Sequence, residues 1–508
     1  MNLQGQPENP GKGRRLGIKL PCAVAIVFLI LYALTAQRGV SWQDSGIFQY
    51  GALSGAMTLP ENSFGGGLAV LHPTYRIGTQ LFSRCFPETL RVYSVNLFSG
   101  IGMAAALGLL AYLVQRLTGN ARAAVGAVVT LGLAQMAWWL ATVAEVYTWS
   151  LAFLFAELLC LVNVCEDRRP RWWMLLALIN GMHLSVHNMA LLNLPVYGIL
   201  FLWSCRSQRL PFGRLVAACA GMWLLGAAVL AWYFVKDVAE THSVAASLRS
   251  LLVGQNFSGQ VLGTGKVKWQ LAAMNWTLAA ASFLSPCWLF AAAALRRPTA
   301  SPFRLCLLTL TGIHFLFWVR YFVPDQATFI IPTLGLSAVW AGIGIANCGP
   351  WLTSRKWLLA VAAGMICQAG MPPVLGTLAR PYATRVRELP FRDEAQYWLV
   401  PWKHNEDSAQ RFVDTLNKTL RKGDVLVADL TAANPVVADA VLHPSPFRLL
   451  SGWTEEGGDE TMRVISQALA DGHRAFAVSP KLGYTPRAIV EKYQFEQEGI
   501  LWRIKERQ

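Results

Sequence analysis

Acidic residues are scarce in the first three quarters of this 508-residue chain. Residues 1–379 carry 11 acids against 26 basic residues, whereas residues 380–508 carry 18 of each, so the net charge of +15 belongs wholly to the first segment. Those basic residues sit in short loops between apolar runs. That is the pattern that orients a membrane protein, not a stripe that follows a phosphate backbone, and nucleic acid is excluded as a partner. Usable cysteine is also missing. Nine of the ten lie within or beside apolar runs, Cys85 alone occupies a long loop, and none follows Cys367. Neither a disulfide framework nor a zinc spacing results. A nucleotide fingerprint is absent too, because "ADLTAANP" lacks the glycines that would cradle a phosphate after a strand.

What is abundant is apolar: 54% of the residues are hydrophobic, with 20 tryptophans. Uncharged runs of about 20 residues are the length a helix needs to cross a bilayer. Eleven are read, near 18–36, 94–115, 123–143, 146–165, 172–186, 188–204, 215–235, 269–294, 305–319, 329–347 and 357–377. Lys12, Arg14, Arg15 and Lys19 place the N-terminus in the cytoplasm. Parity then puts 17 of the 26 basic residues inside. The expected protein is an α-helical polytopic membrane protein of about 11 transmembrane helices (residues 1–379) with an extracytoplasmic segment and a small α/β domain (residues 380–508).

The same parity sends seven acids to the outer side: Asp44, Glu61, Glu88, Glu145, Asp237, Glu240 and Asp325. Some occupy tight tips between spans, "VAEVYTW" and "YFVPDQATF", and the tip "NGMHLSVHNMALLNLP" adds His183, His187 and Asn188. Short tips at one end of a bundle share one plane, so carboxylate, imidazole and amide collect at an outer mouth. Polar groups at such depth are costly and mark function. Each also has a structural reading: a helix cap for Glu145, a Pro-Asp turn for Asp325, an interhelical hydrogen bond for His183 and a buried pairing for Glu157. The first outer loop, 37–92, carries Asp44 and "SFGGGLAVLHPTYR", whose glycines permit close backbone approach.

The ordered series "QDSGIFQYGA", "LHPTY", "YSVNLFSG", "WWLATVAEVYTWSLAF", "HNMALLNLP" and "VPDQATFIIP" resembles the TMEM260-like protein O-mannosyltransferase family, within the GT-C membrane glycosyltransferases. The resemblance covers most of residues 18–347. Ile47 stands where the family usually has a second acid, Thr74 interrupts its His-Pro-Pro-Gly-Tyr pattern, and Val186 precedes His187 where the family has Asn. The resemblance implies a GT-C-like fold, a polyprenyl-phosphate-sugar donor and transfer to a protein or glycan hydroxyl at the outer face, with Asp44 as catalytic base.

A sugar on a lipid phosphate has a leaving group that departs without a proton, so one carboxylate suffices where a glycosidase needs two. Asp44 accepts the proton of the attacking hydroxyl. Glu145 orients the acceptor or a loop arginine. Arg320 is first choice for the phosphate, with Arg76 and Lys236 as alternatives. His72, Tyr75, His187, Asn188, Asp325 and Gln326 complete the expected substrate contacts. No ligand set for a divalent metal stands out, and metal dependence stays open. No eukaryotic retention signal is evident, which favours a bacterial inner membrane. The rival functions are a transporter or flippase of lipid-linked sugar, which calls for internal repeats that are not seen, and a polysaccharide polymerase or ligase.

Beyond residue 392 the periodicity changes. "RDEAQYWLVPWK" reads as an interfacial belt. Ala409, Phe412, Val413, Leu416 and Leu420 form a helical stripe. "DVLVADL" (424–430) reads as a strand followed by a helix opened by Pro435. "FRLLSG", a helix near 459–471, "RAFAVSP" and a helix near 486–493 continue an α/β alternation. Two roles are open for this domain, binding or positioning the acceptor and capping the bundle passively.

Overall fold

In hydrocarbon every backbone polar group must be satisfied within its own segment, and helices achieve this. The computed structural model describes residues 17–57, 67–167, 169–208, 211–254, 269–295, 301–349, 355–383, 389–451 and 458–507. Their helices run in the order α1 (Lys19–Thr35), α2 (Gln43–Ser54), α3 (Pro73–Ser83), α4 (Glu88–Thr118), α5 (Ala121–Gly132), α6 (Gln135–Thr142), α7 (Tyr147–Asp167), α8 (Pro170–Val186), α9 (Leu194–Gln208), α10 (Phe212–Gly226), α11 (Ala228–Thr241) and α12 (Val244–Val253). There follow α13 (Trp269–Ala281), α14 (Leu289–Leu295), α15 (Pro302–Arg320), α16 (Ile331–Asn347) and α17 (Arg355–Ala383).

Six helices among the described residues are long and apolar enough to cross a membrane, or up to nine if each of three bent pairs is one span. Eleven runs were read from sequence. The difference lies in α1 and α8, 17 residues each. The bends are 68° between α5 and α6, 78° between α10 and α11, and 91° between the two halves of 271–295. Freed backbone groups find partners at the last break: Ser285 caps Cys287 N at 3.2 Å, Trp288 Nε1 donates to Ser282 O at 3.1 Å, and Ser282 Oγ accepts from Met136 N at 3.1 Å. Close packing also needs small residues. A Cβ on Gly181 of α8 would lie 2.2 Å from Trp223 O of α10, and one on Gly226 would lie 2.2 Å from Leu178 O. The core lies between α4, α5, α7 and α16, with Leu107, Leu110, Phe155, Leu334 and Val339 all buried.

The last segment contains α18 (Glu394–Leu399), α19 (Ser408–Thr419), α20 (Leu430–Ala440), α21 (Asp459–Ala470) and α22 (Arg487–Lys492). Its five-stranded sheet has the order β2-β1-β3-β5-β4. Strands β1 (Val425–Val427), β2 (Arg448–Leu450) and β3 (Ala475–Ala477) are parallel, with Val425 opposite Arg448 and Ala475. Strands β4 (Tyr493–Glu498) and β5 (Leu501–Glu506) form an antiparallel hairpin that the sequence pattern did not reveal. All five residues of the stripe read at 409–420 are buried. Pro435 does not open a helix. It lies inside α20, which starts at Leu430 and is capped by Asp429 through Thr431 N at 3.4 Å.

Tyr397 and Trp398 do not form an interfacial belt. They are buried against α6, where Trp139 Nε1 donates to Tyr397 O at 3.0 Å, Gln135 Nε2 donates to Trp398 O at 2.6 Å, and the Trp139 and Trp398 rings stack 5.2 Å apart. Lys403 N donates to Thr35 O at 2.7 Å and Thr142 Oγ1 to Pro401 O at 2.8 Å. The domain is thus fastened to the ends of α1 and α6, and this identifies the end of the bundle at which the loops 37–92, 143–146, 187–193 and 321–325 gather.

Candidate active site

The first long loop holds two short helices, α2 and α3, that the apolar pattern did not announce. Each is entered through a non-glycine residue in the left-handed region, Gln43 at φ 57° and His72 at φ 47°. Such residues cost energy and gather at functional sites. They immediately precede Asp44 and Pro73. One turn along α3 stands Arg76, only 2% exposed, and its charge faces Asp44. Asp44 itself is exposed to solvent, with the charges of Arg76, Glu145 and Asp325 close to it.

Glu145 is tied to α2 by its neighbour: Ser45 Oγ donates to Glu145 Oε1 at 2.9 Å. Ser99 Oγ accepts from Glu145 N at 2.8 Å and donates to Glu145 O at 2.9 Å. Its one proton is then spent, so the Tyr75 hydroxyl 2.9 Å away is the donor of that pair. Asp325 completes the carboxylates, with the side chains of Tyr147 and Thr328 beside it. Burial pushes the Asp44 carboxyl up and Arg76 opposes the rise. Burial and then Asp44 push Glu145 up, and the same two causes bring Asp325 to about 7. Three mutually repelling carboxyls with one guanidinium therefore retain protons above the ordinary carboxylate range. Burial lowers Arg76 only to about 10, so it stays charged at neutral pH.

An aromatic wall closes one side. The His72 and His187 rings stack 5.0 Å apart, Tyr147 lies 5.1 Å from His187 and 5.2 Å from Phe329, and Phe48 lies 5.1 Å from Tyr75 with Arg76 over its ring at 5.3 Å. His72 Nδ1 donates to Val186 O at 2.8 Å. Burial and Arg76 hold His72 down at about 3, so this imidazole is neutral. His187 Nδ1 accepts from Met189 N at 3.1 Å, which leaves its proton on Nε2.

The structure therefore brings together Asp44, Glu145, His72, Tyr75, Arg76, His187 and Asp325. Four other residues read from sequence have different surroundings. Arg320 is exposed at the end of α15. Gln326 is buried with Nε2 donating to Trp318 O at 2.7 Å, which caps that helix. Asn188 opens a 3-10 turn after His187 and is half-buried. Lys236 lies on α11 with its ammonium 5.5 Å from the Trp232 ring. Residues 63–66 of the glycine run lie outside the described residues. Sequence reading missed Ser45, Phe48, Ser99 and Tyr147. Ser45 and Tyr147 adjoin chosen carboxylates in the chain, but Ser99 is brought in only by α4 packing on α7. Among the described residues no three His, Cys, Asp or Glu side chains converge closely enough to hold a metal ion.

A second polar cluster lies deeper, between α7, α8, α9 and α15. Glu157 accepts four hydrogen bonds: from Asn180 Nδ2 at 3.1 Å and His183 Nδ1 at 2.8 Å on one oxygen, and from Asn193 Nδ2 at 2.8 Å and Tyr197 OH at 2.7 Å on the other. His183 Nε2 pairs with Ser150 Oγ at 2.7 Å, and His314 Nε2 with Asn193 Oδ1 at 2.8 Å. This carboxylate is fully satisfied, the arrangement of a structural link between spans.

Residues 71–210, which carry His72, Tyr75, Arg76, Glu145 and His187, match the family model of the protein O-mannosyl-transferase TMEM260 N-terminal domain. The chain is similar to TMEM260 proteins over that stretch, about a quarter of its length. Its fold is that of ArnT from Cupriavidus metallidurans bound to undecaprenyl phosphate, with a TM-score of 0.61 at 14% identity over 96% of this chain and 97% of ArnT. The apo state of the same protein gives 0.57, again at 14% identity over 96% and 97%. The mycobacterial arabinofuranosyltransferase AftD gives 0.50 at 15% identity over 95% of this chain and 39% of AftD. No curated protein matches the chain by sequence. At such identities the likeness is one of fold.

Proposed function

We propose that the chain is an inverting glycosyltransferase that moves a sugar from a polyprenyl-phosphate carrier to a hydroxyl of a protein or glycan at the non-cytoplasmic face. The observation that carries this reading is a solvent-exposed Asp44 beside the buried cation Arg76. Asp44 takes the proton of the acceptor hydroxyl as its oxygen attacks the anomeric carbon. The bond from that carbon to the phosphate oxygen breaks on the opposite side, its electrons leave with the phosphate, and the configuration inverts. A carboxylate pushed above its usual range is a stronger base near neutral pH, provided it is ionised.

The leaving phosphate needs fixed positive charge. Arg76 supplies it in preference to Arg320, because Arg76 faces Asp44 and Arg320 lies exposed at a helix end. Arg76 Nε donates to Leu71 O at 2.8 Å, while Nη1 is buried without a hydrogen-bond partner among the described residues. An unsatisfied buried donor is costly and is repaid by an anionic ligand. Glu145 anchors α2 through Ser45. Asp325 and His187 face the sugar and acceptor, and mannose is the sugar that the family match favours. The ArnT structure with undecaprenyl phosphate supports a polyprenyl phosphate as carrier.

The test is incubation of the purified full chain with labelled polyprenyl-phosphate sugars and a hydroxyl acceptor. Wild type turns over at least one donor with inversion. Asp44→Asn loses about 10²–10⁴ in kcat, the usual worth of a general base. The wild-type acid limb of kcat lies above the normal aspartate range, because the raised Asp44 must ionise first. Equal turnover by Asp44→Asn would reject the assigned base.

A further inference from the structure

The residues on either side of Asp44 are held by different parts of the molecule. On its C-terminal side Ser45 is bonded to Glu145 at the tip between α6 and α7. On its N-terminal side the carbonyl of Gln43 accepts from Asn434 Nδ2 of α20 at 2.8 Å. Gln43 is also the residue with φ 57°, a conformation that glutamine does not adopt without support. The approach is close: a Cβ on Gly46 would stand 3.0 Å from both the backbone carbon and Cβ of Asn434, and 2.5 Å from Ser41 O. The preceding segment is gripped by the same domain. Trp42 Nε1 donates to Ser408 Oγ at 2.7 Å, Val40 N donates to Gln410 Oε1 at 3.3 Å, and the Trp42 ring lies 5.2 Å from Phe412. The membrane part alone thus fixes one flank of Asp44, and the C-terminal domain fixes the other.

We propose that the C-terminal domain completes the active site, with Asn434 as a positioning residue that holds Gln43 in its left-handed conformation and so aims the Asp44 carboxylate at the acceptor hydroxyl. This gives the domain a part in catalysis and rests on the function proposed above. The physical reason is that a helix of 12 residues is marginal by itself, and a misplacement of about 1 Å at a reacting group costs up to a hundredfold in rate. Release of the Gln43 carbonyl lets φ relax to a negative value, which turns the first residues of α2 and moves Asp44.

The experiment uses the full chain and three variants. Asn434→Ala and the isosteric Asn434→Asp both remove the donated N–H, whereas Asn434→Gln keeps an amide donor. With labelled polyprenyl-phosphate mannose as donor, kcat falls about tenfold or more in the first two. The KM for the donor stays near wild type, and Asn434→Gln recovers part of the rate. Hydrogen–deuterium exchange without substrate rises within residues 40–50 and not in the β1–β3 sheet. Unchanged kcat in Asn434→Ala overturns the proposal. So does exchange that rises throughout the C-terminal domain, which marks a general loss of folding. If wild type uses no polyprenyl-phosphate sugar, the proposed function falls, and the exchange arm still decides the clamp: a local rise at 40–50 supports it, and unaltered exchange refutes it.

Discussion

Two clusters of acid and imidazole lie within one bundle and are built on opposite principles. Around Glu157 every carboxylate lone-pair direction is filled by a donor from the same protein. Around Asp44 the carboxyls face one another, the guanidinium keeps a donor unpaired among the described residues, and the central acid remains open to solvent. Burial of polar groups is tolerated in both, but only the first repays its desolvation internally. The comparison teaches that intramembrane polarity is not by itself a mark of chemistry. Function is legible in what is left unsatisfied.

The largest effect on this contrast should come from Glu157→Ala. It strips four donors of their partner, and the loss in thermal unfolding should be about 3 kcal/mol, from bonds worth about 0.6–1 kcal/mol each plus the unpaired groups left behind. The kcat measured below the unfolding transition should show no selective fall. A change in kcat without loss of stability would break the comparison.

Arg76→Met should behave in the opposite way. Loss of the phosphate cation should lower turnover about 100-fold, or nearly 3 kcal/mol of barrier. Stability should change by no more than about 1 kcal/mol, because the variant loses the Nε bond to Leu71 O together with a buried Nη1 that has no partner among the described residues. Unfolding of the variant at lower temperature than wild type, with residual rate intact, would turn Arg76 into a structural residue.

The smallest effect is one of pH. Asp325 has its folded-state pKa raised to about 7, against an unfolded value near 3.9. Between those values the folded chain keeps a proton that the unfolded chain has released, so wild-type stability falls as pH rises through that window. Asparagine does not titrate. Asp325→Asn should therefore gain on wild type between pH 5 and pH 8 in melting temperature. A constant difference across that range would show that Asp325 is not held protonated by its neighbours.

Much of this arrangement could be read from one dimension. Charge scarcity, uncharged runs and the parity of basic loops give a helical bundle whose short tips share a plane, and tips that share a plane bring Glu145, His187 and Asp325 toward Asp44. Topology ranks Arg320 above Arg76, because Arg320 ends a span five residues before Asp325. Only the packing of α3 beside α2 separates the buried cation from the exposed one. The tryptophans of 392–403 misled for a related reason: aromatic residues beside a span suit an interface, and composition cannot tell an interface from a buried seam against α6.

The sequence by itself determined the class of the molecule, the end at which its polar groups collect and the α/β character of residues 408–506, because hydrophobic period and span length act locally. Tertiary structure alone decided that α20 grips α2, that Asn434 meets Gln43 across 391 positions, and which carboxylate stays unsatisfied. Those outcomes depend on contacts between distant segments, and no local pattern records which donor will reach which acceptor once the chain has folded.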